Sequence, residues 1–264
     1  MIIFGYGKLG SAVAKNLSAL ANKELFCITK SDFPTLKSVE ESEDKVPDFS
    51  LDISPETGVY FVCSGEEKIA GGILRTLEKI KEAKIKIIYI LRDEDFLSEE
   101  VQKQQKAISK ILQNYARSGL FEDICLVEEK NFKSLFMPEV SLLEYDNVLS
   151  QTLAKMINMV NWLQNEESLY SEIEPPNEAC RIKSLGVFAE AEERLVFPLD
   201  NVRQKDVYFA CSKETLKTDT DLLEKIKETL KRMKEENVKV EHKIVTTEYD
   251  QDFIYLSYHT NFIQ

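Results

Sequence analysis

The chain has 264 residues, 43% of them hydrophobic and 30% charged, which is enough for one large or two modest domains and excludes disorder over most of its length. With 34 Lys and Arg against 46 Asp and Glu, the formal net charge of −12 argues against direct nucleic-acid binding, which needs cations to neutralise phosphates. No apolar run approaches the ~20 residues that cross a bilayer, and Gly5, Gly7, Lys8 and Gly10 break up any signal-peptide core, so a soluble cytoplasmic protein without membrane contact is expected.

Residues 1–4 form a short apolar strand that runs into Gly5-Tyr6-Gly7-Lys8-Leu9-Gly10. Residues 11–21 follow with Ala12, Val13, Leu17 and Leu20 at helical spacing, then a second strand over 25–29. Residues 32–55, with Pro34, Pro47, Pro55 and the acidic stretch 40–44, read as surface loop. Residues 58–63 are a fully apolar strand ending at Ser64-Gly65. Residues 69–83 carry Ile73, Leu74, Leu77 and Ile80 as an amphipathic helix, and 85–91 is another buried strand. A helix over 99–118 places Ala107, Ile108, Ile111 and Tyr115 on its apolar side and stops at Gly119. The strand 123–127 closes this set. Near-continuous apolar strands alternating with helices predict a parallel sheet covered on both faces.

Residues 142–163 are apolar on most sides, from Leu142 and Leu143 through Leu149, Leu153, Ile157 and Val160 to Trp162 and Leu163, which predicts a helix buried between two domains. Residues 164–177, rich in glutamate and containing Pro175-Pro176, read as linker. Beyond them lie strand-like segments at 184–189, 206–211, 238–246 and 253–260, the last two forming a hairpin. A helix at 221–236 begins with Asp221 and Glu224 at capping-box spacing. Cys27, Cys63, Cys125, Cys180 and Cys211 are scattered, all but Cys180 inside apolar runs, and read mostly as core thiols in a reducing compartment. No CxxC pair exists and His242 and His259 are the only histidines, so no zinc-type metal site is expected.

Gly5-x-Gly7-x-x-Gly10 between a strand and a helix is the right context for a phosphate. Backbone amides approach an anion there, and the helix start adds partial positive charge. A tight turn that needs glycine for packing alone is the competing explanation. On its own the loop also suits a dinucleotide fingerprint, with Thr29, Lys30 and Asp32 near the expected ribose contact, so an NAD(P)-dependent oxidoreductase is the alternative. That alternative lacks a Tyr-x-x-x-Lys segment after the 85–91 strand.

The order of glycine loop, parallel sheet, long buried helix, linker and small mixed sheet resembles the tubulin/FtsZ family over nearly the whole chain. The resemblance is strongest in residues 106–163, where QKAISKIL, DICLV and EYDNVLSQTLAKMINMV look like the family's helix, strand and central helix. It is equally strong in residues 207–262, where VYFACS and VEHKIVTTEYDQDFIYLSYHTNF look like its second domain. It implies an α/β fold divided into a Rossmann-like nucleotide-binding domain (1–141), a central helix (142–163), a linker with a catalytic-type loop (164–180) and a smaller mixed-sheet α+β domain (181–264).

The resemblance assigns GTP or GDP, with Mg2+ as an optional companion, to Gly5, Gly7, Lys8, Gly10 and Ser11 in the first phosphate loop. In place of the family's GGGTGTG loop it offers Ser64, Gly65, Lys68, Gly71 and Gly72, and it makes Asp146 the guanine contact. A helix-start acid favoured by the dipole is the other explanation for Asp146. SGEEKIAGG departs from the family signature, because Glu66 and Glu67 bring negative charge toward the phosphates. The family completes hydrolysis with an acidic loop that enters the adjoining subunit's site. Glu172, Glu174 and Glu178 are the catalytic candidates here, with Asn177 beside them. The family's Asn-x-Asp is not intact, so weak or lost GTPase activity is expected. The partner implied is a second copy, stacked head to tail into an open polymer. A plasmid or phage relative that segregates or positions DNA through an adaptor protein is the nearest analogy. A nucleotide-free scaffold is the remaining alternative, motivated by Glu66 and Glu67.

Overall fold

The computed structural model describes residues 1–137 and 139–264. Strands β1 (Ile2–Tyr6), β2 (Glu24–Ile28), β3 (Gly58–Ser64), β4 (Lys84–Leu91) and β5 (Asp123–Glu128) are parallel neighbours in the order β2-β1-β3-β4-β5. Their side chains supply a core on each face, which is why the inner strands are near-continuous apolar runs. On one face Ile3, Val62, Ile88 and Val127 meet helices α1 (Gly7–Ala21) and α6 (Tyr145–Asn165) through Leu9, Val13, Leu17, Leu149, Leu153 and Ile157. On the other, Phe4, Phe61, Ile87 and Leu126 meet α3 (Ile73–Lys79) and α4 (Glu99–Arg117) through Ile73, Leu77, Leu112 and Ala116. The short helices α2 (Glu41–Asp44) and α5 (Glu129–Phe136) complete this half.

Helix α6 bridges two cores. Leu149, Leu153, Ile157 and Val160 belong to the core under α1, while Leu163, Met159 and Trp162 join Tyr208, Ala210 and Val245. Each such buried aliphatic contributes about 1.5–3 kcal/mol, so the helix is fastened along its length. It begins at Tyr145, later than the sequence pattern suggests. Leu142 and Leu143 precede it and are 90% and 97% exposed.

The second half comprises β6 (Ile182–Ala189), β7 (Glu192–Leu195), β8 (Gln204–Ser212), α7 (Lys213–Thr218), α8 (Leu222–Arg232), β9 (Lys239–Thr247) and β10 (Phe253–Thr260). Its strands extend the first sheet through a short parallel joint in which Ile124 and Cys125 face Ile182 and Lys183. The full order is β2-β1-β3-β4-β5-β6-β10-β8-β9, with β7 beside β6.

Several local expectations are corrected. β9 and β10 do not pair as a hairpin: β9 runs parallel to β8, and β10 lies antiparallel on its other side, between β8 and β6. The 248–252 connection crosses the end of β8, where Asp252 accepts the Ser212 N–H at 2.7 Å. Alternation along a strand encodes its face and not its neighbour, and β8, buried at all nine positions, takes a partner on each side. Asp221 makes no side-chain cap; its own N–H is instead bound by Asp219. The helix expected over 69–83 is shortened by a 3-10 turn at Lys68–Gly72. Residues 32–55 are a packed strap, with Phe33, Phe49, Leu51 and Ile53 against the sheet. α4 buries Gln105, Ser109, Leu112, Gln113 and Ala116 and leaves Ile111 and Tyr115 exposed, because the buried glutamines serve backbone groups. Its stop is as expected: Gly119 has φ +89° and Leu120 N–H returns to the Tyr115 carbonyl at 3.1 Å.

Candidate functional site

A cleft of about 680 Å³ opens where β1, β3, β4 and β5 end, lined by Lys8, Glu66, Glu67, Arg92, Glu129 and Asp146 among others. The carboxyl ends of parallel strands are where open α/β sheets bind ligands. Here each strand delivers a charged residue just past its end. Packing of α1 on α6 brings Lys8 to Asp146, with Nζ 2.7 Å from Oδ2. Arg92, immediately after β4, lies 3.4 Å from the other Asp146 oxygen and 3.0 Å from Glu129. These two cations, Lys8 first, hold the Asp146 carboxyl below its ordinary range.

The supporting contacts are specific. Gln105, fully buried, bonds the backbone of Arg92 in both directions, accepting from its N–H at 3.1 Å and donating to its carbonyl at 3.2 Å. Glu129 is 4% exposed and accepts the Asp93 N–H at 2.9 Å. Gln104 donates to the Gly65 and Glu67 carbonyls at 2.6 and 3.1 Å, which pins the turn after β3. Tyr145 lines the cleft with Lys133 5.5 Å above its ring, and burial beside Glu129 raises its phenol. Arg92 and Glu129 were not singled out from sequence. Their position directly after apolar strands of a parallel sheet was the available signal.

The glycines divide between two duties. Gly7 has φ +79° and is buried behind Glu67, which lines the cleft: a Cβ there would lie 2.6 Å from Glu67 Oε1. Gly5 and Gly10 let α1 lie directly on the sheet, since a Cβ at Gly10 would strike the Val62 carbonyl oxygen. Gly65 is hard against the Tyr89 hydroxyl. Gly71 and Gly72 are pressed against the strap at Val39, Ser42 and Val46. Ser11 is 3% exposed, with an Oγ that has no hydrogen-bond partner among the described residues. Ser64 Oγ is buried in the same condition, and Lys68 is exposed. Of the predicted residues the cleft therefore gathers Lys8 and Asp146, with Glu66 and Glu67 beside them, while Gly5, Gly7, Gly10, Ser11, Ser64, Gly65, Lys68, Gly71 and Gly72 lie outside its lining.

Glu66 Oε2 is buried with no partner among the described residues, and burial pushes its carboxyl up. The Glu67 carboxylate accepts the Lys8 N–H at the start of α1. Asp32, the dinucleotide-type candidate, turns back on its own backbone and accepts the Thr29 N–H at 2.7 Å.

Glu172, Glu174 and Glu178 lie at the opposite pole. Glu172, Asn177 and Glu178 line a second cavity of about 470 Å³ at the amino ends of β4, β5, β6 and β8, with Lys86, Asp123, Lys183 and Asp206. Glu172 is 3.7 Å from Lys243 and Glu174 2.6 Å from Lys239. Ser257, His259 and Asp206 also meet nearby, but both partners reach the same imidazole nitrogen, at 3.1 and 2.9 Å. A relay needs the two ring nitrogens separately, so this cluster is a buried hydrogen-bond set and not a nucleophile assembly. Among the described residues no group of three or more His, Cys, Asp or Glu could hold a metal ion, and no helix is long and apolar enough to cross a membrane.

No family model matches the sequence, and no curated protein matches it either. Solved structures do match in shape. A dimer of FtsZ from M. jannaschii aligns over 98% of this chain and 87% of its own, at TM-score 0.56 and 10% identity. A helical model of the four-stranded TubZ-Bt filament aligns over 98% and 85%, at TM-score 0.65 and 10% identity. A GTPγS-form protofilament of TubZ from Bacillus thuringiensis serovar israelensis aligns over 98% and 86%, at TM-score 0.63 and 8% identity. At such identities the likeness is one of fold: this chain has the tubulin/FtsZ-like fold.

Proposed function

We propose that this protein assembles head to tail into cytoplasmic filaments with a guanine nucleotide held in the cleft between Lys8 and Asp146. The observation that carries the reading is the opposition of the two sites. The Lys8–Asp146 cleft lies past the carboxyl ends of the strands, and the 172–178 segment lies at their amino ends, one strand length or about 25 Å away. Translating one subunit along the strand direction brings the second site of one copy over the first site of the next, and such a contact repeats without closing.

The cleft can hold an anion: a carboxylate oxygen already sits on the Lys8 amide, where a phosphate oxygen would bind. In this reading Gly7 and Lys8 hold the phosphates and Asp146 accepts from the base. The nucleotide supplies a phosphoanhydride whose hydrolysis loosens the joint, and Mg2+ accompanies its phosphates. In this reading Glu172, Glu174 and Glu178 of the adjoining copy take a proton from water. Their existing ties to Lys243 and Lys239, and the altered loop, favour slow hydrolysis. We assign residues 1–141 to nucleotide binding, 142–163 to the central helix, 164–180 to the reaching segment and 181–264 to the subunit contact. Segregation or positioning of plasmid or phage DNA, through an adaptor that offsets the chain's own negative charge, is the cellular role in keeping with this design.

The test is phosphate release from GTP against protein concentration, with light scattering as the polymer signal. Turnover per subunit should rise steeply with concentration, because the complete site exists only between copies. A rate independent of concentration would place the apparatus within one chain. The nucleotide-free scaffold is the second reading, favoured by Glu67 on the α1 terminus, and the nucleotide content of the purified protein separates the two.

A further inference from the structure

Helix α1 opens with Gly7-Lys8-Leu9, and its N-cap residue, Tyr6, supplies no side-chain cap. A helix of 15 residues that starts without a local cap or acid leaves bare N–H donors and about half a positive charge at its end. Glu67, from the turn after β3, fills that position by accepting the Lys8 N–H. Gly7 makes the approach possible, since any Cβ there would collide with the same carboxylate. Gln104 holds the Glu67 backbone, so the carboxylate is set in place from behind. The cations at the rim are engaged as well, Lys8 with Asp146 and Arg92 with both Asp146 and Glu129. Beside them Glu66 lines the cleft with a buried, unpartnered oxygen.

We propose that Glu67 is a built-in competitor for the cleft's phosphate-bearing ligand, which binds only when the 65–67 turn carries this carboxylate off the start of α1. The inference rests on the reading of the cleft as a nucleotide site and adds its regulation. A carboxylate and a phosphate oxygen cannot share one N–H donor, and their like charges repel in a half-buried cleft. The closed arrangement therefore lowers apparent affinity by the fraction of molecules that are open. By linkage, any partner that holds the turn outward tightens ligand binding by the same factor.

Calorimetric titration of the full chain with GTP, and separately with inorganic tripolyphosphate, tests this on wild type, Glu67→Ala and Glu67→Gln. Melting curves of all three accompany the titrations. If the open form is about 1–10% populated, Glu67→Ala should bind both probes about 10–100-fold tighter than wild type. Glu67→Gln should tighten both by a smaller factor, because its neutral oxygen still competes for the Lys8 N–H. Glu67→Gln keeps the side chain's shape and an acceptor for the Lys8 N–H without the charge, and serves if the alanine variant loosens the fold. GTP and tripolyphosphate both bound by the variants with wild-type affinity overturn the competitor while leaving the nucleotide reading intact. Tightened binding of tripolyphosphate without tightened GTP upholds the competitor and removes guanine from the reading. No binding of either probe by any of the three overturns both.

Discussion

At the carboxyl ends of the strands, Lys8, Arg92, Glu129 and Asp146 come from four different places in the chain and are tied to one another within 3.4 Å, with the Arg92 backbone held from behind by Gln105. At the amino ends, Glu172, Glu174 and Glu178 stand on one irregular segment with their side chains exposed, their carboxylates paired at most with lysines of a single edge strand. The first pole keeps its geometry, which suits the proposed recognition site, because such a site loses affinity when its groups must be ordered on binding. The second is irregular and exposed, which suits the proposed contact with an adjoining copy.

The largest effect that could break this comparison is at the reaching pole. Replacing Glu172, Glu174 and Glu178 together by alanine should lower GTP turnover by ~10²–10⁴, the usual loss of a general base. GTP affinity should persist. Loss of the exposed Glu174–Lys239 pair should leave stability almost unchanged, whereas loss of Glu172 also leaves the buried Lys243 without its carboxylate and should lower the melting temperature. A triple variant with wild-type turnover, measured by phosphate release, would show that these carboxylates do no chemistry.

Gly7→Val comes next. A β-branched residue at φ +79° costs about 1–3 kcal/mol, and its Cβ displaces Glu67 or the ligand. We expect a lower melting temperature and no nucleotide retained on purification; retained nucleotide in a folded variant would make the turn merely structural. Asp146→Ala removes charged hydrogen bonds from one wall of the cleft and should weaken GTP about 10–100-fold. Because Lys8 and Arg92 lower this carboxyl, the stability it contributes is present above the unfolded-state value and is lost as pH falls through the folded one. The variant's deficit in melting temperature should therefore vanish in acid. Unchanged affinity in a titration, with unaltered melting, would sink the assignment.

The smallest expected effect sharpens the electrostatics. Burial raises the Glu66 carboxyl, so the native state binds the extra proton and stability falls as pH rises out of the ordinary carboxylate range. Glu66→Gln removes that penalty. Its melting temperature should exceed wild type at neutral pH, with the gain disappearing in acid. A gain that persists at low pH would point to packing.

The parallel strands and the α6 helix were legible because near-continuous apolar runs and an all-round apolar helix have few other solutions. The glycine loop was legible as a close-approach turn, but Gly71 and Gly72 show that the same residue type also answers to packing. What the sequence withheld was pairing across distance. Glu67 meets Lys8 only because the β3 turn and the α1 start end side by side, and nothing local in SGEEKIAGG states that. Helix α4 misled for a related reason: its buried face carries glutamines that serve distant backbone, so apolar periodicity pointed to the outer side.

The threading of β10 between β6 and β8 has a consequence for how the chain is made. β10 follows every other strand in sequence, yet it is an interior member of its sheet, and neither β6 nor β8 has its final neighbour until it arrives. During synthesis β8 can pair with β9 on one side, but its other edge and that of β6 remain open, a gap that only non-local contacts close. Such unpaired edges are where partly made chains associate wrongly. Completion of this half should thus be a late, slow event, and release of a chain before β10 has emerged would leave two adhesive edges facing one another.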